Sequence, residues 1–274
     1  MPQIINTNMM SLNSQRALDS SQQSMRTTVE RLSSGLRINR AQDDAAGLAI
    51  SERITSQIRG LNQAMRNAND GVSMLQTTEG AMQEITNSLQ RMRELAVQAA
   101  NGTVSQTDKG SLQEEYAALA EEIGRITTST EFNGTQVLTG SSSVTLQVGF
   151  QAAADNLITI TMADLSALTS LADDIGSDAT GDAARAALAK LDDDINTITS
   201  ERAKLGAVQN RLESTLRNVA NVVENQSAAR SRIRDADFAV ETANLTRTQI
   251  LQQAGTAMLA QANQIPASVL QLLG

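Results

Sequence analysis

Residues 54–99 read ITSQIRGLNQAMRNANDGVSMLQTTEGAMQEITNSLQRMRELAVQA. Large or small apolar side chains recur at Ile54, Ile58, Leu61, Met65, Ala68, Val72 and Leu75, then at Met82, Leu89, Met92, Ala96 and Ala99. The steps alternate three and four residues. An apolar seam of that period marks a coiled-coil-like helix, here over about 43–100. Such a helix does not persist alone, because its seam must be buried against another. Gly47, Gly60, Gly71 and Gly80 interrupt it, each costing roughly 1 kcal/mol against Ala in a helix interior. They are either tolerated weaknesses or places where neighbouring backbones come close.

The partners lie on both sides. Leu18, Met25, Val29, Leu32 and Leu36 form a first seam, giving a helix over about 11–33. Gly35 is placed to cap its C-terminus and Asp43 or Asp44 to cap the long helix. After a turn at Asn101-Gly102, Leu112, Tyr116, Leu119, Ile123 and Ile126 predict an antiparallel neighbour. Ser111 with Glu114 fits a capping box for it, with Thr107 as an earlier start. Phe132-Asn133-Gly134 reads as a turn. Alternation then takes period two at Val144, Leu146, Val148 and Phe150, and again at Ile158, Ile160 and Met162, which predicts a β-hairpin. A short helix is expected over 164–175 and a polar loop over 176–182.

A second long seam runs through Leu188, Leu191, Ile195, Ile198, Leu205, Leu212, Leu216, Val219, Val223 and Ile233, and should pack antiparallel to the first. Asp237 can cap a last helix. Its seam is Phe238, Leu245, Leu259, Ala262, Ile265, Val269 and Leu272, with Pro266 expected to kink or end it. The fold class is therefore mainly α: a long antiparallel coiled-coil-like bundle with a small β-hairpin, its terminal helices pairing as a coiled coil.

Composition narrows the chemistry. The 274 residues carry a formal charge of −8, which disfavours nucleic acid as a partner. The aromatic content of 1% suits thin helical layers better than a thick core. Without Cys or His, thiolate chemistry, Ser-His-Asp triads and histidine-bound zinc are excluded. The clusters Asp173-Asp174 and Asp192-Asp193-Asp194 are read as solvated helix starts, where negative charge suits the dipole. No enzyme and no cofactor are expected. Residues 1–15 carry no charged side chain, and none follows Arg247. Two amphipathic but uncharged ends predict tails that are poorly ordered alone and fold on assembly. A membrane-surface helix would show Lys or Arg on its polar face, so no membrane partner is expected. The start of the sequence lacks the features of a secretory signal.

Motifs at both ends resemble the bacterial flagellins. They include Ile5-Asn6-Thr7-Asn8, Glu30-Arg31-Leu32-Ser33-Ser34-Gly35-Leu36-Arg37-Ile38-Asn39 and Asp43-Asp44-Ala45-Ala46-Gly47. Arg66-Asn67-Ala68-Asn69-Asp70-Gly71, Leu89-Gln90-Arg91-Met92-Arg93-Glu94-Leu95-Ala96-Val97-Gln98 and Gln249-Ile250-Leu251-Gln252-Gln253-Ala254-Gly255 add to them. The likeness covers about 1–140 and 186–274. It implies a filament subunit for motility, exported through the flagellar type III apparatus and located outside the cell. It further implies an inner layer from 1–42 and 232–274 and an outer one from 43–231, with a short variable insert near 141–184. The polymerising seam would be Leu18, Met25, Val29, Leu32, Leu245, Leu259, Ile265, Val269 and Leu272. Implied partners are further copies of the chain, an export chaperone, and hook-associated cap and junction proteins. The flagellin-sensing Toll-like receptor of vertebrates is also implied, contacting Gln90, Arg91, Leu95, Gln98 and Glu115. A hook–filament junction protein, which shares the terminal seams, is the alternative.

Overall fold

A computed structural model describes residues 7–140, 143–178 and 180–273, with side chains described to residue 264. Five α-helices are described: α1 (Met9–Ser34), α2 (Ala45–Ala99), α3 (Gln106–Ser129), α4 (Asp182–Arg234) and α5 (Phe238–Leu273). Four short strands lie between α3 and α4: β1 (Glu131–Phe132), β2 (Thr135–Gln136), β3 (Ser143–Gln147) and β4 (Leu157–Thr161). The chain divides into two compact units, one of residues 1–58 with 224–274 and one of residues 59–223. Helices α2 and α4 contribute to both.

In the unit of residues 59–223, α2 and α4 run antiparallel. Arg93 meets Asp192 at 2.7 Å and Arg202 meets Glu79 at 3.7 Å, so partner numbers fall as the others rise. Helix α3 returns along α2 after the turn at Asn101. The buried seam of α2 in this unit is Leu61, Ala64, Ala68, Gly71, Leu75, Thr78, Met82, Ile85, Leu89, Met92, Ala96 and Ala99, with Met74, Thr86 and Leu95 buried on its flanks. The seam is a strict three-four repeat. It differs from the sequence reading at Met65 and Val72, which are only half-buried, and it adds Ile85 and three small residues. At Gly71 size explains the shift, because the hairpin closes on α2 there and leaves no room for a side chain. A Cβ on Gly71 would lie 2.2 Å from Leu146 Cδ1, whereas one on Gly80 would meet nothing within 4 Å. Close approach therefore explains Gly71 and leaves Gly80 unexplained within the chain.

The expected hairpin forms from β3 and β4, with Val144 opposite Ile160 and Leu146 opposite Ile158. It is tied to α2 by Asn67 Nδ2, which donates to the carbonyl of Gln147 at 3.0 Å. Asn133 and Gly134 take positive φ of 52° and 76°, as a two-residue turn between β1 and β2 requires.

Two local expectations are corrected. The N-cap of α3 is Ser105, whose Oγ accepts from the amide of Asp108 at 3.2 Å, not Ser111 or Thr107. Residues 164–175 do not form an α-helix and contain only a 3-10 turn, Ser170–Ala172. Their backbone bonds elsewhere. The amide of Leu165 donates to the carbonyl of Leu138 at 2.9 Å, and the amide of Ile175 to Gln113 Oε1 at 2.7 Å. Those of Thr169 and Ser170 donate to the Asp194 carboxylate at 3.2 and 2.9 Å. Asp194 is thus not on a solvated helix start: it is 5% exposed. The hydroxyl of Tyr116 donates to the carbonyl of Ser170 at 2.8 Å, and burial, with Asp173 and Asp194 adding to it, pushes that phenol's pKa up.

In the unit of residues 1–58 and 224–274, α1 and α5 pair antiparallel. Asn8 Nδ2 donates to the carbonyl of Ala262 at 2.7 Å, Ser21 Oγ to that of Thr248 at 3.3 Å, and Arg31 meets Glu241 at 3.2 Å. Gly35, at φ 70°, caps α1. Asp44 Oδ1 accepts from the amide of Gly47 at 2.8 Å, and Asp237 Oδ1 from that of Ala239 at 2.8 Å, so both junctions cap as expected. Between them, Leu36 bridges to Asp235 and Ile38 is buried. Helix α5 continues past Pro266 and does not end there. The described parts of both tails are helical, and each supplies the other's seam.

Candidate functional site

The α1/α5 pair is built unlike the rest of the molecule. On α1 the positions turned inward are Ser11, Ser14, Leu18, Ser21, Met25, Thr28 and Leu32, again in three-four steps. Small hydroxyl side chains occupy more than half of them. On α5, Glu241, Leu245, Thr248, Gly255, Leu259 and Ala262 take that role. Gly255 lets the helices close on Leu18, whose Cδ1 would lie 3.3 Å from an added Cβ. Of the expected seam, Leu18, Met25, Leu32, Leu245 and Leu259 are half-buried in this pair and Val29 is exposed. The side chains of Ile265, Val269 and Leu272 lie outside the described residues.

What the seam lacks in apolar area appears outside. Met9, Met10, Leu12, Val29, Phe238, Val240, Ile250, Leu251 and Met258 are all exposed large apolar residues of α1 and α5, with Ile250 at 59% and Met258 at 61%. Single exposed apolar residues are ordinary, but this many on one helix pair mark an interaction surface. Charges are sparse on it, which keeps the desolvation cost of covering it low.

A second region lies on α2 and α3. Arg91 is held at the surface by two carboxylates, Glu94 at 2.9 Å and Glu115 at 2.8 Å. These two hydrogen bonds, that of Glu94 foremost, hold the guanidinium's pKa above its ordinary value. Gln90 and Gln98 are exposed nearby on the same helix. Leu95 is 1% exposed and packs into the core cluster. It supports from beneath the face on which Gln90, Arg91 and Gln98 are exposed. Periodicity alone would have found this, since the seam positions Met92, Ala96 and Ala99 leave Leu95 on their inner flank.

Among the described residues, no three acidic side chains gather as a metal site would need, and no helix is long and apolar enough to cross a membrane.

These features are matched by known proteins. The model of the bacterial flagellin N-terminal helical region matches residues 5–143, and that of the C-terminal helical region matches residues 188–273. The chain belongs to the bacterial flagellin family. It is 49% identical to a flagellin of Halalkalibacterium halodurans over 98% of this chain and 99% of that one. It is 45% identical to a flagellin of Bacillus subtilis over the same shares. A 33 kDa flagellar filament core protein of Treponema phagedenis is 46% identical, with 98% of this chain and 99% of that one covered. The crystal structure of Bacillus cereus flagellin superposes with a TM-score of 0.50 at 35% identity, covering 60% of this chain and 94% of that one. As a flagellin the chain is a structural, non-catalytic protein of the extracellular flagellar filament.

Proposed function

We propose that this chain is added to the growing filament through the outward apolar residues of α1 and α5, and that this surface becomes the innermost contact between copies. The supporting observation is the placement of Ile250, Leu251, Met258, Val29 and their neighbours on the outside of the terminal helix pair. Segments 1–42 and 232–274 form an inner layer in this reading, and 43–231 an outer one. The seam of Leu18, Met25, Val29, Leu32, Leu245, Leu259, Ile265, Val269 and Leu272 serves partly within a copy and partly between copies. Seeded polymerisation followed by electron microscopy tests it. Leu251→Asp with Met258→Asp should leave a folded monomer that forms no filaments. Filaments of normal length from that variant would rule the surface out.

Before assembly the chain travels through the flagellar type III apparatus with an export chaperone, and in the filament it meets hook-associated cap and junction proteins. The α2/α3 face bearing Gln90, Arg91, Gln98 and Glu115 is recognised by the flagellin-sensing Toll-like receptor of vertebrates, with Leu95 as its buried support. A guanidinium fixed between Glu94 and Glu115 is already oriented, so little side-chain freedom is lost when a partner binds. Arg91→Ala should weaken a receptor reporter signal while leaving the fold intact; an unchanged signal retires that face.

A further inference from the structure

A groove of about 420 Å³ runs between α2 and α3, its lining including Gly80, Glu84, Ser88, Glu122, Arg125 and Ser129. Two features of it, Gly80 and Glu84, find no partner among the described residues of the chain, and the cation in its lining is already paired. Gly80 forms its floor in the interior of α2, where glycine weakens a helix relative to alanine, yet an added Cβ would meet nothing within 4 Å. Arg125 is fully engaged by Glu122 through bonds of 2.7 and 2.6 Å. Glu84 is exposed and makes no hydrogen bond or ion pair among the described residues, so its carboxylate is open to a partner.

The complementary group is present elsewhere in the same unit. Arg59 of α2 and Arg211 of α4 are exposed and have no partner among the described residues. The imbalance is general: acidic side chains far outnumber basic ones over residues 105–194, while basic ones slightly outnumber acidic ones in the rest of the chain. A carboxylate groove on one face and a free arginine on another can satisfy each other between copies, and in a helical polymer such a contact repeats from copy to copy.

We propose that the groove floored by Gly80 receives an arginine side chain of a second copy, Arg59 or Arg211, whose guanidinium donates to the Glu84 carboxylate. The absent Cβ of Gly80 gives the stem of that side chain room against the α2 backbone. The guanidinium fork suits a carboxylate flanked by hydroxyl groups, here those of Ser88 and Ser129. The contact rests on polymerisation, and it belongs to the α2/α3 layer, not to the terminal helices.

Full-length chains polymerised on filament fragments test it, with the parent chain in the same assay separating failure of this contact from failure of polymerisation itself. Gly80→Ala should melt no lower than the parent as a monomer, yet need a concentration about tenfold higher to assemble, the equivalent of one lost contact of ordinary strength. Glu84→Arg should assemble poorly, and adding Arg59→Glu or Arg211→Glu in the same chain should restore growth and identify the arginine. A Gly80→Ala monomer that melts lower would overturn the proposal, because the Cβ would then collide within its own chain. Assembly of Gly80→Ala and Glu84→Arg at the parent's concentration, or failure of both double variants to restore growth, would overturn it as well.

Discussion

The helices of residues 59–223 and the terminal pair α1/α5 share one construction, a three-four seam between antiparallel helices, and use it in opposite ways. In the first, the seam of α2 holds Leu61, Leu75, Met82, Ile85, Leu89 and Met92, all buried, and few large apolar residues are left outside. In the second, Ser11, Ser21, Thr28, Glu241 and Thr248 hold inner positions while Met9, Met10, Ile250, Leu251 and Met258 face outward. One region buries what it has and is complete as a single copy. The other gives its inner positions to small polar groups and leaves its large apolar side chains exposed. In the proposed assembly that division leaves them for contacts with other copies.

The contrast can be broken by substitutions of similar kind in the two regions. Leu89→Ala removes a fully buried side chain and should lower the unfolding free energy by about 2–5 kcal/mol, read by denaturant titration. If it costs no more than truncating an exposed residue of α5, the core of residues 59–223 is not what holds this unit together. Asp194→Ala should cost about 1–3 kcal/mol, because it leaves the amides of Thr169 and Ser170 without their acceptor. Amide exchange should rise first over residues 165–176. Gly71→Ala should cost roughly 1–3 kcal/mol through displacement of Leu146 and the hairpin, in contrast to Gly80→Ala at an open position of the same helix. In the terminal pair, Leu251→Gln should change monomer stability by no more than about 0.5 kcal/mol while reducing assembly. A large loss of monomer stability there would show that the outward residues already serve the single chain.

The smallest effect concerns acid. Asp43 accepts from the amides of Arg40 at 2.9 Å and Asn39 at 3.0 Å, bonds that hold its carboxyl below the usual value of 3.8. A carboxylate with a depressed pKa contributes fully above its unfolded value and loses that contribution as pH falls through the folded one. Protection of the Asn39 and Arg40 amides, taken relative to the intrinsic exchange rate at each pH, should therefore persist above about pH 4 and fall below it, without unfolding the helices. Equal protection on both sides of that range would mean the turn does not depend on Asp43.

Much of the architecture could be read without coordinates. The long helices α2 and α4, the caps at Gly35, Asp44 and Asp237, and the existence of the β3–β4 hairpin all follow from period and local chemistry, whereas the inward positions of α2 and α4 shift in part to small residues and Asp194. The misreadings cluster where a distant group overrides the local pattern. Residues 164–175 have helical spacing at Leu165, Leu168 and Leu171, but Asp194, Gln113 and Leu138 take up their backbone groups. The α3 cap lies six residues before Ser111 because Ser105 and Asp108 form the first turn. The two candidate surfaces were legible to different degrees. The family motif marks Arg91 but does not say that Glu94 and Glu115 hold it or that Leu95 lies beneath.

The sequence by itself determined that this chain is a set of long antiparallel helices with a hairpin, because heptad and two-residue periods depend only on neighbours along the chain. It also determined the family, through motifs at both ends. Tertiary structure decided which small residues are close contacts and which are open, where Asp194 is buried, and that the terminal helices keep their large apolar side chains outside. Those outcomes depend on which groups meet across tens or hundreds of residues, and a one-dimensional pattern carries no term for that.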